Sequence, residues 1–189
     1  MVRTLVLLLL FPTPAVAWNA LGHKVVAEIA WQELSPETRQ RIVETIKRHP
    51  AFAKDFAPDM PAVDTDRWIF QHAATWPDIV RGNREYDQPT WHYINRPVFL
   101  GGRRRIDANL ATDPRRTAPD KYNCIQAVKH CQAVLKDRRA GADAKALAYC
   151  WLFHLVGDMH QPLHAVSLYG DYFPNGDKGG NSIPLARGR

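Results

Sequence analysis

Hydrophobic residues recur at helical spacing along most of the chain after residue 17. Val25 and Ile29, for example, stand one helical turn apart and predict an apolar stripe on the first helix. Residues 35–37, Ser-Pro-Glu, have the pattern of an N-cap, a proline at the first helical position and an acidic first turn. We predict helices over residues 23–34, 35–48, 67–74, 120–138 and 142–159.

The segments between these helices show little sign of a sheet. Residues 88–119 contain four prolines, paired glycines and two arginine clusters, and we predict a long irregular connection there. Asp120 is predicted to cap the helix that follows, and Pro162 to end the last one. Strand-type alternation is nearly absent and no internal repeat is found. The predicted class is therefore all-α, in a single domain.

The first 17 residues have the features of a secretory signal peptide. Arg3 provides a positive charge, residues 5–11 are apolar, and residues 15–17, Ala-Val-Ala, form a small-x-small cleavage site. An N-terminal membrane anchor is the alternative, but the apolar run is short for a span. We expect cleavage before Trp18, a domain over residues 18–189, and a secreted or periplasmic location.

Composition and charge narrow the choice of partners. The chain has 189 residues, 46% of them hydrophobic and 23% charged, a balance typical of a folded domain. Its net charge of +6 favours polyanionic partners such as nucleic acid or an anionic membrane surface. No second apolar run approaches the length of a span, which excludes a multi-span membrane protein. Three cysteines are too few for a disulfide-rich scaffold.

The densest group of candidate metal ligands lies near the end of the last predicted helix. His154 and Asp158 are four residues apart, so both side chains emerge on one helix face and can bind one metal ion. His164 follows Pro162 and can return towards them from a turn. Imidazole and carboxylate groups are the ligands that zinc takes when cysteine is not used. His160 points elsewhere on the helix.

Two further segments upstream carry candidate ligands. His23 lies five residues after Trp18, so the α-amine that cleavage would release and this imidazole could bind a metal together. Asp78 follows a Trp-Pro pair, and His92 follows a tryptophan. Taken alone, Asp78 could equally be a helix cap and His92 a core histidine.

These segments together resemble the S1/P1 nuclease family, the zinc-dependent nucleases that prefer single strands and begin with a tryptophan. The resemblance runs from Trp18 to about Ile183. Its motifs in this chain are W-N-A-L-G-H, W-P-D-I-V-R, W-H-Y-I-N, H-L-V-G-D-M-H-Q-P-L-H and G-G-N-S-I. The family implies a mostly helical phospholipase C/P1 nuclease fold with three zinc ions clustered at the base of a cleft.

The resemblance also assigns ligands. It implies that four side chains hold the first zinc: Asp78, His92, His154 and Asp158. The amine and carbonyl of Trp18, His23 and the other oxygen of Asp158 would hold a second zinc, so that Asp158 bridges the pair. His164 would be the first ligand of a third zinc.

The third site departs from the family pattern. The family completes it with a histidine and an aspartate from an N-L-H-x-x-W-D motif beyond the G-G-N segment. The sequence has no such motif and ends in P-L-A-R-G-R. We expect a truncated reading frame or a fragment, with ligands for two complete zinc sites.

The implied reaction is endonucleolytic hydrolysis of single-stranded DNA and RNA to 5′-phosphorylated products by a metal-bridged hydroxide. Asp78 and Asp158 would hold the metals, and Arg81 resembles the family arginine that binds the phosphate. Asn95 stands where the family places a base-contacting side chain. The arginines at 103–105, 115 and 116 could steer the strand, or form a solvated loop.

Two other functions stay open from the sequence. A zinc-dependent phospholipase C shares the fold and the N-terminal tryptophan, although the basic charge favours a nuclease. A secreted zinc-binding fragment without catalytic activity is the other alternative. We expect a monomer that has no stable membrane association.

Overall fold

The computed structural model describes residues 19–102, 106, 108–180 and 182–183. The predicted signal peptide, the Trp18 ligand and the arginines 103–105 lie outside these residues. The described part contains eight α-helices: α1 (Ala20–Glu33), α2 (Pro36–Ile46), α3 (Phe52–Asp55), α4 (Thr65–Ala73), α5 (Trp76–Ile79), α6 (Cys124–Lys136), α7 (Ala142–Met159) and α8 (Pro162–Ala165). Short 3₁₀ turns cover Ala57–Asp59, Pro114–Arg116 and Pro119–Lys121. The predicted all-α, single-domain class is confirmed.

Helix α7 lies at the centre of the molecule. It packs against α1, α2, α4, α5, α6 and α8. A helix surrounded in this way must be apolar on most sides, and α7 buries residues such as Ala146, Trp151 and Leu155 on different faces. None of the helices in the described segments is both long and apolar enough to cross a membrane.

The apolar stripe predicted on α1 does not face the core. Val25 and Ile29 are 49% and 58% exposed, whereas Gly22, His23 and Ala27 form the buried face. Helical spacing identifies a face but not its neighbour. The neighbours here are α4 and α7, and the small residues Gly22 and Ala27 on the buried face allow close packing against α1.

The predicted cap of α6 is wrong by three residues. Asp120 lies in a 3₁₀ turn, and the helix is capped by Asn123. The Asn123 side chain accepts a hydrogen bond from the Gln126 backbone N–H at 3.1 Å, and the Gln126 side chain accepts one from the Asn123 N–H at 3.2 Å. This reciprocal capping box satisfies two backbone donors, which a cap at Asp120 would leave unpaired.

Two short strands interrupt the predicted irregular connection and the tail. Strand β1 (Arg96–Phe99) pairs in parallel with β2 (Val166–Tyr169), with Arg96 opposite Val166. Just before β1, the Ile94 N–H donates to the His164 carbonyl at 2.8 Å. The pairing therefore joins the segment after His92 to the segment after His164. Because each strand is only four residues long and β1 contains Pro97, neither shows the alternation that predicts a strand.

A buried histidine in this core predicts a measurable pH dependence of stability. His49 is 3% exposed, and its Nδ1 accepts a hydrogen bond from the Ala51 N–H at 3.1 Å. Burial lowers the pKa of His49 to about 4. The His49 side chain is therefore protonated near pH 6.5 in the unfolded chain but only near pH 4 in the folded chain.

We expect this histidine to destabilise the fold as the pH falls from about 6.5 to about 4. In His49→Asn the side-chain oxygen can still accept from Ala51 but does not titrate. Between pH 7 and pH 4, the wild-type free energy of unfolding should fall by up to about 3 kcal/mol more than that of the variant. Urea unfolding of both proteins across this range measures the difference, and parallel pH profiles would contradict the prediction.

Candidate metal centre

Asp78 is positioned by the buried tryptophan two residues before it. Trp76 begins α5 and is fully buried, with its indole N–H donating to Asp55 Oδ2 at 2.9 Å. Pro77 occupies the first turn of this four-residue helix, where its fixed φ is favourable. Asp78 is thereby held at the edge of the core with its side chain 30% exposed.

His92 is positioned in the same way by Trp91. The Trp91 indole N–H donates to the Pro119 carbonyl at 2.8 Å, and its ring meets Trp151 of α7 edge-on at 4.9 Å. The turn that ends at His92 is thus fixed on both sides. His92 itself is 3% exposed.

His154 and Asp158 both come from α7, one helical turn apart, and both are buried. His154 Nδ1 lies 2.9 Å from the Ala74 carbonyl. A carbonyl only accepts, so this nitrogen carries the proton and Nε2 keeps its lone pair. A metal-binding histidine is commonly held by such a hydrogen bond from its second nitrogen.

Three ligand atoms from these residues form a nearly equilateral triangle. His92 Nδ1 lies 3.0 Å from Asp158 Oδ2 and 3.0 Å from His154 Nε2, and the latter two atoms are 3.1 Å apart. In a tetrahedral zinc site, bonds of about 2.0–2.1 Å place neighbouring ligand atoms about 3.3 Å apart. The triangle is therefore close to the dimensions of three ligands around one ion.

The second oxygen of Asp158 is directed towards His23. Oδ1 lies 3.5 Å from His23 Nε2, and Asp78 Oδ2 lies 3.9 Å from the same nitrogen. The rings of His23 and His154 are stacked, with centroids 3.8 Å apart. His23, Asp78 and His154 can also contribute ligand atoms to one cation. His154 belongs to both candidate groups, and Asp158 Oδ1 lies next to the His23 of the second group.

The protonation states of this cluster are those that a metal requires. Burial, reinforced by the neighbouring His154, lowers the pKa of His23 to about 4. Burial also lowers the pKa of His92, although its hydrogen bond with Asp158 opposes this. Burial raises the pKa of Asp158, but the contacts with His154 and His92 outweigh it and hold the pKa well below the usual range. Neutral imidazoles and an ionised carboxylate are the forms that bind metals.

The three contacts of the triangle also have too few N–H donors for the number of acceptors. At the triangle, the carboxylate oxygen of Asp158 and the lone pair of His154 Nε2 both only accept. His92 Nδ1 can supply a single proton to them. Buried acceptors without donors cost free energy, and a cation that accepts lone pairs from all three atoms removes that cost. The residues fit a divalent metal ion by this test, and imidazole and carboxylate ligands suit zinc.

Gly157 allows His23 to reach this cluster. A Cβ atom at residue 157 would lie 2.7 Å from His23 Nδ1 and 3.2 Å from its Cε1. The His23 ring therefore occupies the space that any other side chain at this position of α7 would need. Gly157 lies inside the H-L-V-G-D motif, but nothing in the sequence indicates this role.

A cleft of about 530 Å³ opens beside the cluster. Four of the site residues predicted from the sequence line it: Arg81, His92, Asn95 and His164. Arg81 Nε donates to Asp78 Oδ1 at 2.8 Å, which holds the guanidinium next to the metal ligands. His164 Nδ1 contacts the His92 carbonyl at 3.1 Å, so its Nε2 is the nitrogen that can bind a metal.

The cleft also contains residues that sequence reasoning missed. Tyr93, Asp87 and Lys178 line it together with the predicted residues. Tyr93 directly follows His92, and Lys178 directly precedes the Gly-Gly pair of the last motif. Adjacency to a motif residue was the one available signal. Of the predicted steering arginines, Arg115 is exposed and pairs with Asp113 at 2.9 Å, as a solvated loop residue does.

The remaining candidate ligands stay outside the cluster. His160 is exposed and contacts the Val156 carbonyl, which agrees with the predicted direction of its side chain. The three cysteines are free and buried. Burial raises the pKa of Cys124 to about 11 and that of Cys131 to about 12, and it also raises the pKa of Cys150. Their thiols are therefore protonated and are poor metal ligands.

Comparison with known proteins identifies relatives across the chain. Residues 18–188 match the family model described as S1/P1 Nuclease. Two Arabidopsis thaliana proteins are also similar to this chain. Endonuclease 4 is 26% identical over 178 residues, and Endonuclease 2 is 26% identical over 184 residues. These alignments cover 90% and 94% of the chain but 50% and 53% of the relatives. The chain thus spans about half the length of the curated relatives it matches. No solved structure matches it at a significant level.

The close approach at Gly157 predicts the effect of a single methyl group. Alanine favours a helix over glycine by about 1 kcal/mol, so Gly157→Ala would be stabilising if space were available. The buried His23 ring cannot move aside cheaply because it is stacked on His154. We expect the variant to lose bound zinc, and its free energy of unfolding to fall by about 1–3 kcal/mol.

Elemental analysis after dialysis measures the zinc, and urea unfolding measures the stability. Gly102→Ala is the matched control, because a Cβ at Gly102 meets no atom within 4 Å. The prediction is wrong if the two alanine variants hold the same amount of zinc.

Proposed function

The chain belongs to the S1/P1 nuclease family, and we propose that it is a zinc-dependent endonuclease. Its substrates are single-stranded DNA and RNA, which it hydrolyses to 5′-phosphorylated products. The observation that carries the proposal is the triangle of His92 Nδ1, His154 Nε2 and Asp158 Oδ2, with sides of 3.0–3.1 Å and too few protons for its contacts. The names of the two Arabidopsis thaliana endonucleases support the same activity.

Two zinc sites share the Asp158 carboxylate in this proposal. Four side chains would hold the first zinc: Asp78, His92, His154 and Asp158. The second would be held by His23, the other oxygen of Asp158, and the amine and carbonyl of Trp18. Zinc, when bound, supplies a Lewis acid that activates water and stabilises negative charge on phosphate. His164 is proposed as a ligand of a third zinc.

Trp18 can supply an amine only after the preceding segment is removed. We therefore infer that residues 1–17 are cleaved as a signal peptide and that the mature protein is secreted or periplasmic. We also infer that it acts as a monomer without stable membrane association. The inferences of cleavage and location depend on the N-terminal pattern and on the position of His23, five residues after Trp18.

Arg81 binds the scissile phosphate in this proposal. Its side chain is 60% exposed in the cleft, and its pairing with Asp78 holds it beside the metal ligands. The guanidinium presents several N–H donors in one plane, which suits the oxygens of a phosphate. As negative charge develops on those oxygens, the hydrogen bonds from Arg81 strengthen.

Asn95 and Tyr93 bind the base beside that phosphate. Both line the cleft. The Asn95 amide offers a donor and an acceptor, so it can form hydrogen bonds with the edge of a base. The Tyr93 ring offers a surface on which any base can stack. One stacking residue and one amide would give weak base preference, as a nuclease of broad specificity needs.

The Asp158 carboxylate provides the experiment that tests this function. Asp158→Asn keeps the shape but replaces one metal-binding oxygen with an amide nitrogen, which cannot bind a metal. We expect the wild-type chain that starts at Trp18 to hold both paired zincs and to cleave single-stranded DNA and RNA. The variant should lose both zincs together and at least about 100-fold in activity.

His164→Ala is the control, because His164 is not assigned to the paired sites and the variant should retain their zinc. Elemental analysis gives the stoichiometry. Assays on single-stranded RNA and on phosphatidylcholine vesicles distinguish a nuclease from a phospholipase C. Near-native zinc content and cleavage by Asp158→Asn would refute the shared carboxylate. Hydrolysis of phosphatidylcholine in place of nucleic acid would refute the nuclease.

A further inference from the structure

The loop that forms one wall of the cleft has an unusual backbone. Gly176, Lys178, Gly179 and Gly180 all have positive φ, at 87°, 55°, 64° and 82°. Lys178 is one of two non-glycine residues with positive φ in the described part of the chain. A left-handed conformation costs a residue with a Cβ roughly 1 kcal/mol or more. Glycine would adopt this backbone conformation more easily than lysine. The backbone alone therefore does not explain why residue 178 is a lysine.

The glycines on either side are required by close contacts. A Cβ at Gly176 would lie 2.5 Å from Ser167 Oγ of β2, and a Cβ at Gly179 would lie 2.7 Å from the Leu163 carbonyl of α8. The loop is thus pressed against both elements. This packing fixes the backbone on each side of Lys178.

Asp177 fastens the same loop to strand β2. Its side chain is buried, and Oδ1 accepts hydrogen bonds from Ser167 Oγ at 3.1 Å and from the Leu168 N–H at 3.0 Å. A buried carboxylate with two donors on one oxygen is held in one orientation. Because Asp177 and Lys178 are adjacent, this bond determines where the Lys178 backbone lies along the cleft.

The cleft brings Lys178 together with the residues of the proposed active site. It is lined by Lys178 from this loop, by His164 from α8, and by Arg81 and His92. Arg81 lies on the side of the candidate metal ligand Asp78, and Lys178 lies on the wall that the loop after β2 forms with α8. A volume of about 530 Å³ falls within the range of small-molecule binding clefts and leaves room for more than one phosphate group.

We propose that Lys178 binds a phosphate of the substrate strand next to the scissile one, and that Asp177 is the positioning residue that holds it there. This inference rests on the proposed nuclease function and assigns a second phosphate subsite to its cleft. A lysine ammonium acts as a compact point charge and does not demand a planar partner. It therefore suits a neighbouring phosphate whose orientation varies with the sequence of the strand.

Neutral phosphate substitutions test the proposal. In a set of labelled single-stranded oligonucleotides, each internal phosphate is replaced in turn by an uncharged methylphosphonate. Stopped-flow fluorescence anisotropy measures their affinity before cleavage, for the wild type and for Lys178→Gln. The exposed Lys136, which is not among the residues that line the cleft, provides the matched control Lys136→Gln.

We expect Lys178→Gln to bind the unmodified strand about 5- to 10-fold more weakly and to lower the salt dependence by about 0.7 in log–log slope. One methylphosphonate, adjacent to the mapped cleavage position, should weaken binding by the wild type by the same 5- to 10-fold. The same methylphosphonate should not weaken binding by Lys178→Gln any further. Lys136→Gln should behave as the wild type. Independent losses at every position, coupling at the scissile phosphate, or no loss in Lys178→Gln would each overturn the inference.

Asp177 is tested by a pair of variants. Asp177→Ala should weaken binding by the same factor as Lys178→Gln, and the double variant should lose no more. Asp177→Asn keeps an oxygen that can accept both hydrogen bonds, and it should restore most of the affinity. A purely structural role would instead lower zinc content or affect every phosphate position equally, which would overturn the assignment of Asp177.

The two proposals fail in different ways. Absence of bound zinc or of cleavage in the wild type contradicts the nuclease function, whatever the binding data show. Normal zinc content and cleavage without coupling between Lys178 and one phosphate contradict the second phosphate subsite alone.

Discussion

The structure depends on a buried carboxylate surrounded by imidazoles. Asp158 is 2% exposed, and its two oxygens lie near His92, His154 and His23. An ionised group in this environment is costly unless positive charge compensates it. Burial disfavours protonation of His23 and His92, so the histidines do not provide that charge readily near neutral pH. A bound cation would supply this charge, which supports the proposed metal centre.

The rest of the fold holds this cluster together from four distant parts of the chain. Trp76 and Trp91 lock the turns that present Asp78 and His92, through hydrogen bonds to Asp55 and to the Pro119 carbonyl. On α7, Gly157 leaves room for the His23 ring from α1. Strands β1 and β2 join the segments that follow His92 and His164. These candidate ligands are therefore positioned by the packing around them, as precise metal sites require.

The sequence indicated most of the residues that meet in this cluster but little of the structure that supports them. The spacing of His154 and Asp158 on a long helix was sufficient to place both on one face, and α7 has the predicted bounds. The exposed face of α1 and the two strands were not predicted, because each depends on a neighbour that is remote in sequence. The Asn123 cap was also missed, although its partner Gln126 is only three residues away. Lys178 was missed for the same reason: its position in the cleft depends on the tie between Asp177 and β2.

The most direct test of the shared-carboxylate centre is anomalous diffraction at the zinc edge, from crystals of the chain that begins at Trp18. We predict two zinc peaks, one on each side of the Asp158 carboxylate. The first would be bound by His92 and His154, and the second by His23 and the N-terminal amine. A single peak, or two peaks of which only one contacts Asp158, would contradict it.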